Sequence, residues 1–165
     1  MKKNWLAGGC FWGVEAYFRQ LKGVLATVVG YGQGDMDQPA YSQVCSGMTG
    51  HTEICQVTYD ENVLPIRTLL DHFFRIIDPT TLDRQGPDRG TQYRSGIYYE
   101  DETERKIIVE FIREMQPRYS EPIVVEVEPL MKFFPAEEYH QSYLHKNPGG
   151  YCHVNLGLAK SEEKK

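Results

Sequence analysis

The chain has 165 residues, a length that fits one domain, and we expect that domain to span 1–165 with a charged tail over 155–165. The formal net charge of −5 and the lack of a long basic block argue against nucleic-acid binding. No stretch is long and apolar enough to span a membrane, and the N-terminal residues lack the apolar run of a secretory signal. We therefore expect a cytoplasmic protein.

Hydrophobic periodicity and turn residues predict strands and helices that alternate along the chain. Val14, Tyr17, Phe18 and Leu21 share one face of a helix over 12–21. The other predicted elements are strands over 5–7, 24–31, 53–59, 96–99 and 123–127, helices over 66–77, from the capping residue Asp101 to Met115 and over 136–146, and polar loops over 32–52 and 80–94.

This order predicts an α/β (α+β) fold with a mixed sheet and helices on its faces. The first six elements match a ferredoxin-like split β-α-β plait, around which a long C-terminal segment wraps. Cys10 follows the first strand, at the carboxyl end where open α/β sheets place their sites.

The run Gly8-Gly9-Cys10-Phe11-Trp12-Gly13 is the strongest chemical signal. A helix start favours a thiolate over a thiol, because free N–H groups point at the sulfur. The two glycines allow unusual backbone angles and let another molecule come close. The alternative is a buried cysteine in a tight turn, which is the commoner fate of a free cysteine.

The chain has four cysteines, at 10, 45, 55 and 152, without a C-x-x-C pair or zinc-finger spacing. We therefore expect neither a structural zinc site nor a disulfide framework, while a transient catalytic disulfide remains open. Cys55 is interpreted as core packing, and Cys45, whose surroundings are ambiguous, as structural. Cys152 lies between glycines and a flexible C-terminal segment, and a mobile second thiol is suited to reach a sulfenic acid.

Polar residues from three loops can converge on Cys10. Glu53 is either a solvated carboxylate at a strand end or, in an apolar pocket, a general acid with a raised pKa. Tyr41 and Tyr93 lie in or beside the two long loops. Asp88 and Arg89 can cap and brace their own loop, and for Arg89 this is the preferred interpretation.

Five histidines raise an alternative function, a cysteine hydrolase in which Cys10 works with His51 or His153. Their spacing singles out none of them, and His72 falls on the second long helix. A third, non-enzymatic alternative is a module that binds methionine sulfoxide or senses oxidation. It predicts one oxidation event without turnover.

Several separate motifs, in order along nearly the whole chain, resemble the class A methionine sulfoxide reductases, which act on the S epimer. The motifs are the Cys10 run, Tyr41, and residues 47–53, 78–80, 88–95 and 140–148.

The resemblance implies a role for each matching residue. Cys10 is the nucleophile, Glu53 the proton donor, and Cys152 the resolving cysteine. Tyr41 and Tyr93 hold the sulfoxide oxygen with Glu53, and Asp88 supports this network. The pocket for the substrate methyl group is formed by Phe11, Trp12 and Tyr151.

The implied reaction is attack on the sulfoxide, loss of methionine, a sulfenic acid on Cys10, and a Cys10–Cys152 disulfide that thioredoxin reduces, in the repair of oxidised proteins. It needs no metal or organic cofactor, and we expect a monomer. Many members carry a further cysteine after the resolving one, but 156–165 has none, so recycling is expected to stop at the first disulfide. We expect no domain of the R-specific class, and therefore activity on one epimer.

Overall fold

The fold of this protein is built on a six-stranded sheet. The structure is a computed structural model, which describes residues 1–34, 37, 39–47 and 49–165. The strands are β1 (Lys2–Ala7), β2 (Val24–Gly32), β3 (Thr52–Tyr59), β4 (Arg84–Gln85), β5 (Asp88–Arg89), β6 (Gly96–Tyr99), β7 (Glu126–Pro129) and β8 (Phe133–Pro135). The helices are α1 (Phe11–Arg19), α2 (Tyr41–Cys45), α3 (Ile66–Ile76), α4 (Glu102–Met115) and α5 (Tyr143–Lys146).

The strand order in the main sheet is β7-β6-β1-β3-β2-β8, while β4 and β5 form a separate hairpin. Strands β6 and β7 run parallel, and every other neighbouring pair is antiparallel. The predicted α/β class with a mixed sheet is therefore confirmed. In the centre of the sheet, Leu6 pairs with Cys55 on one side and Ile97 on the other.

The main core lies on one face of the sheet, between the strands and helices α1, α3 and α4. The apolar faces predicted for these helices supply it, since Tyr17, Phe18, Leu69, Phe73 and Ile108 are all buried. Cys55 is fully buried there, which confirms its interpretation as core packing. The other sheet face has a small cluster of Trp5, Ala7, Ile54 and Tyr98, against which Leu130 and Phe133 pack.

Short elements within the predicted loops were missed by the sequence analysis. Helix α2 lies within 32–52, of which Asp35, Met36, Gln38 and Met48 fall outside the described residues. The β4–β5 hairpin and a 3₁₀ turn, Thr91–Tyr93, lie within 80–94. Such elements contain too few residues to display a period.

Two predicted element boundaries were wrong, one because backbone amides donate to groups outside the sheet and one because a residue has a left-handed backbone. The strand expected over 123–127 begins only at Glu126, since the Ile123 amide donates to the Gln116 side chain and the Val124 amide to the Pro79 carbonyl. The helix expected over 136–146 is divided into the 3₁₀ turn Glu138–His140 and α5, because Ser142 has a left-handed backbone with φ of 54°.

The C-terminal segment packs against the helices, in agreement with the wrapping segment of the predicted fold, and its charged last residues take part in this packing. The Gln20 side-chain amide donates to the Leu156 carbonyl, and Glu163 accepts two hydrogen bonds from Arg75 at 2.8 and 2.9 Å. The segment therefore wraps over α1 and α3. Within the described part of the chain, no helix has the length and apolar character needed to cross a membrane.

Candidate active site

Cys10 lies at the junction of β1 and α1, as its motif predicts. Gly9 adopts a φ of +83°, which turns the chain between the two elements. Cys10 is the N-cap residue of α1 and is only 6% exposed. The backbone N–H of Trp12 donates to its sulfur and lowers the pKa of the thiol.

Burial and the neighbouring acidic groups nevertheless oppose a thiolate at Cys10. Burial raises the pKa of this thiol most, and Glu53, Asp88 and Cys152 raise it further. Together these effects exceed that of the Trp12 N–H, so the resting thiol is protonated. The Trp12 N–H acts in the direction expected of a helix start, but desolvation has the larger effect on the pKa of this thiol.

Glu53 places a buried carboxyl group beside the start of α1. It is the second residue of β3, is 1% exposed, and accepts the backbone N–H of Phe11 at 3.1 Å through Oε1. Burial raises its pKa to about 8, with a further rise from Asp88 and an opposing effect of the Phe11 N–H. Glu53 therefore keeps its proton at neutral pH, which excludes the solvated-carboxylate alternative.

Two phenols adjoin Glu53. Tyr41 comes from the first residue of α2, and Tyr93 from the 3₁₀ turn after β5. Burial raises both pKa values most; the next causes are a hydrogen bond to Cys45 for Tyr41 and the charge of Glu53 for Tyr93. Both hydroxyls thus remain hydrogen-bond donors. Cys45 is exposed and contacts Tyr41 at this edge rather than packing in the core.

Phe11 and Trp12 form an aromatic wall beside Cys10. Phe11 is buried, with its ring centroid 5.7 Å from that of Tyr31. Trp12 is half-buried and stacks on Tyr143, with centroids 3.8 Å apart and an interplanar angle of 13°. The indole N–H of Trp12 donates to Nδ1 of His140 at 3.0 Å.

The supporting role of His140 was missed by the sequence analysis. It is 1% exposed, and burial lowers its pKa, so the ring is neutral. Because an indole N–H can only donate, Nδ1 accepts and the ring proton lies on Nε2. The ring also lies 4.5 Å from that of Tyr41. The sequence signal was its position in the 140–148 motif, but neither periodicity nor spacing gave it a partner.

Asp88 and Tyr151 form the opposite side of the site. The Tyr151 hydroxyl donates to Oδ2 of Asp88 at 2.8 Å, and the tyrosine is 43% exposed. Asp88 acts on the site through its charge, since it raises the pKa values of both Cys10 and Glu53. Arg89 instead pairs with Arg84 in the β4–β5 hairpin and is exposed, which agrees with a bracing role in its loop.

Cys152 lies close enough to Cys10 to raise the pKa of its thiol, and both cysteines are free. The Cys152 thiol donates to the Val154 carbonyl at 3.2 Å. The adjacent His153 forms a hydrogen bond with the Gly8 carbonyl through Nε2 at 2.8 Å.

His51 is buried, with its ring edge-on to that of Phe134 and the ring centroids 6.0 Å apart.

The structure thus brings together all nine predicted site residues, around one thiol and one protonated acid; they are Cys10, Phe11, Trp12, Tyr41, Glu53, Asp88, Tyr93, Tyr151 and Cys152. Among the residues the structure describes, no group of three or more His, Cys, Asp or Glu side chains is arranged to hold a metal ion. The arrangement can donate a proton and several hydrogen bonds to an oxygen beside a nucleophilic sulfur.

Comparison with known proteins agrees with this chemistry. The sequence profile of the family "Peptide methionine sulfoxide reductase" matches residues 2–165. The peptide methionine sulfoxide reductase MsrA of Clostridium botulinum is 54% identical over 156 residues, covering 94% of this chain and 99% of that protein.

Solved structures give the same result. Mxr1 from Saccharomyces cerevisiae in reduced form is 42% identical, has a TM-score of 0.89, and covers 94% of this chain and 91% of its own. Mxr1 in complex with Trx2 is similar at a TM-score of 0.63 and 31% identity, covering 86% of this chain and 84% of its own.

Proposed function

Because the chain belongs to the class A peptide methionine sulfoxide reductases, we propose that it reduces the S epimer of methionine sulfoxide, free or in proteins, with Cys10 as the nucleophile. Its task is then the repair of oxidised proteins. The observation that carries the proposal is the buried, protonated Glu53, whose carboxyl group binds the residue after Cys10 at 3.1 Å.

In the first step, the Cys10 sulfur attacks the sulfur of the methionine sulfoxide. The sulfoxide oxygen is transferred to Cys10. A sulfoxide is a poor electrophile until its oxygen is protonated or strongly hydrogen-bonded, and Glu53 supplies that proton. The hydroxyls of Tyr41 and Tyr93 donate further hydrogen bonds to the oxygen. Methionine leaves and Cys10 becomes a sulfenic acid. The proton lost by the Cys10 thiol balances the one gained by the oxygen, so Glu53 ends the step protonated.

The choice of epimer follows from the aromatic wall. Phe11 and Trp12, with Tyr151 opposite, enclose the methyl group of the sulfoxide, while the oxygen points to Glu53. The other epimer exchanges the directions of its oxygen and lone pair, so the oxygen loses these donors. Support for a fixed wall comes from the 3.8 Å stacking of Trp12 on Tyr143.

In the second step, the Cys152 thiol attacks the Cys10 sulfenic acid. A Cys10–Cys152 disulfide forms and the oxygen leaves as water. Thioredoxin then reduces the disulfide through its own dithiol. The complex of the yeast relative with Trx2 supports this partner. The reaction requires this external reductant but no metal or organic cofactor.

We further propose one domain over 1–165, a monomer, and a cytoplasmic location. The docking of Glu163 on Arg75 supports including the C-terminal segment in the domain. For the location, the support is the reducing environment that free catalytic thiols require.

The proposal is tested by methionine release from the separated S and R sulfoxides of a blocked methionine, with thioredoxin supplied. We expect turnover of the S form alone. Turnover of R, or of both forms equally, would contradict the epimer assignment. A single equivalent of methionine without turnover would favour a sensor.

A further inference from the structure

The glycines that flank Cys10 form a seat for the C-terminal segment. A side chain at Gly9 would place its Cβ 2.8 Å from Nε2 of His153, and one at Gly13 would place it 3.1 Å from Nδ1. The Gly13 Cβ would also lie 3.0 Å from Val154. A real Cβ atom is essentially never found as close as the 2.8 Å at Gly9, and at the 3.0–3.1 Å of Gly13 the neighbouring side chains would have to move by a few tenths of an ångström. The space left by these glycines is therefore taken by the protein's own side chains: His153 lies beside both glycines, and Gln85 lies beside Gly9.

His153 is held in this seat by one directional contact. Its Nε2 lies 2.8 Å from the Gly8 carbonyl oxygen, which can only accept, so Nε2 donates its proton. Burial lowers the pKa of the ring, although Gly8 and Asp88 act in the opposite direction. A neutral ring with the proton on Nε2 is thus the form that fits the seat.

The residue before this anchor is Cys152. Its peptide unit is continuous with His153, so docking of the ring next to Gly9 restricts where the Cys152 thiol can lie relative to Cys10. We propose that His153 is a positioning residue for the disulfide step, which holds Cys152 near Cys10 before the sulfenic acid forms. This inference rests on the proposed roles of the two cysteines.

The far end of the same segment has its own anchor. Glu163 binds Arg75 with both carboxylate oxygens, and its Oε2 lies 3.4 Å from Nε2 of His72. The chain between 154 and 162 is therefore tied at both ends. Loss of the His153 anchor alone leaves Cys152 attached to the protein but free to sample positions away from Cys10.

The chemistry of the step is that of the proposed function. A sulfur–sulfur bond forms between Cys152 and Cys10, the Cys10 sulfur–oxygen bond breaks, and the thiol proton leaves with the hydroxyl group as water. His153 takes no part in the exchange of atoms. Its effect is on the fraction of time that the two sulfur atoms are in reach, and misplacement by about 1 Å can slow such a step on the order of 100-fold.

The test uses the full chain with His153→Phe and His153→Gln. Phenylalanine keeps the ring volume but lacks the donor, whereas the side-chain amide of glutamine can place its nitrogen at the position of Nε2. Each reduced protein is mixed with the S sulfoxide without a reductant. Methionine release and the loss of free thiols are followed separately by rapid quench, alkylation and mass analysis.

We expect all variants to release one methionine per protein at the rate of the wild type. Disulfide formation should be about 10-fold to 100-fold slower in His153→Phe and within about threefold of the wild type in His153→Gln. Gly13→Ala, which crowds the seat from the other side, should slow the same step. Equal disulfide rates in His153→Phe and wild type would overturn the inference, as would an equal slowing of methionine release and disulfide formation.

Cys152→Ser separates this inference from the proposed function. If Cys152→Ser turns over normally with thioredoxin, Cys152 is not the resolving cysteine and both statements fail. If Cys152→Ser stops after one methionine while His153→Phe cycles as the wild type, only the role of His153 is overturned.

Discussion

The carboxyl group of Glu53 and the backbone N–H of Phe11 are joined at 3.1 Å, which ties the acid on β3 to the first residue of the helix that carries Cys10. The strand pairing β1–β3 fixes the same relationship at the level of the sheet, because Leu6 pairs with Cys55 only two residues beyond Glu53. Glu53 and the start of the helix that Cys10 caps are therefore joined both by this hydrogen bond and by the sheet.

Replacing Glu53 by Gln should lower the rate of methionine release about 100-fold to 10,000-fold, because the proton donor is lost while the acceptor for the Phe11 N–H remains. The measurement is a single-turnover assay with the S sulfoxide. Glu128→Gln, which lies on β7 and is exposed, serves as a control carboxylate and should leave the rate unchanged. A normal rate in Glu53→Gln would exclude it as the acid.

The reaction should also depend on pH through Glu53. Its pKa is raised to about 8, so the required proton is present below that pH and is lost as the pH rises through it. We expect the rate of the first step to fall above about pH 8, measured as single-turnover methionine release. The decline should be absent from the residual activity of Glu53→Gln.

Substitutions of Cys10 and Cys152 should block different steps of the reaction. Cys10→Ser should release no methionine, since the nucleophilic sulfur is absent. Cys152→Ser should release about one methionine per protein and then stop with thioredoxin, because resolution and not attack is lost. Quantifying methionine against protein concentration distinguishes the two. Normal cycling of Cys152→Ser would point to Cys45, Cys55 or direct reduction of the sulfenic acid.

Glu137 should influence catalysis without contacting the substrate. It accepts the Tyr31 hydroxyl at 2.8 Å and the Tyr41 backbone N–H at 3.1 Å, so it fixes the start of α2. Glu137→Ala should lower kcat about 10-fold by displacing Tyr41. The exposed neighbour variant Glu138→Ala should leave kcat unchanged. Circular dichroism of both variants controls for folding.

Glu163 should stabilise the fold, because its carboxylate binds Arg75 and lies beside His72. Arg75 lowers the pKa of Glu163 to about 2, so its contribution is present above the ordinary pKa of a glutamate and is lost as the pH falls towards 2. Glu163→Gln should reduce the free energy of unfolding at pH 6 by about 1–3 kcal/mol. At pH 3 the difference should shrink. Glu162→Gln, an exposed neighbour, should have little effect in urea unfolding.

Local sequence patterns were sufficient to predict an element where it is long, and a site residue where its motif is chemically distinctive. The apolar faces of α1, α3 and α4 predicted those helices, because burial of one face imposes a period of 3.6 residues on the sequence. Helix α2 and strand β8 could not be predicted in this way. Their short backbones depend on distant partners: Glu137 for Tyr41, and β2 for Phe134.

The sequence by itself determined the alternation of strands and helices, the cysteine at a helix start, and the set of residues able to serve it, since these depend on spacing along the chain. Only the tertiary structure decided their protonation and partners. Cys10 and Glu53 both keep their protons because burial outweighs the nearby backbone N–H groups. Gly9 and Gly13 accommodate His153, and Trp12 rests on His140 and Tyr143. Burial and contacts between residues more than 100 positions apart arise only when the chain folds, and no local pattern encodes them.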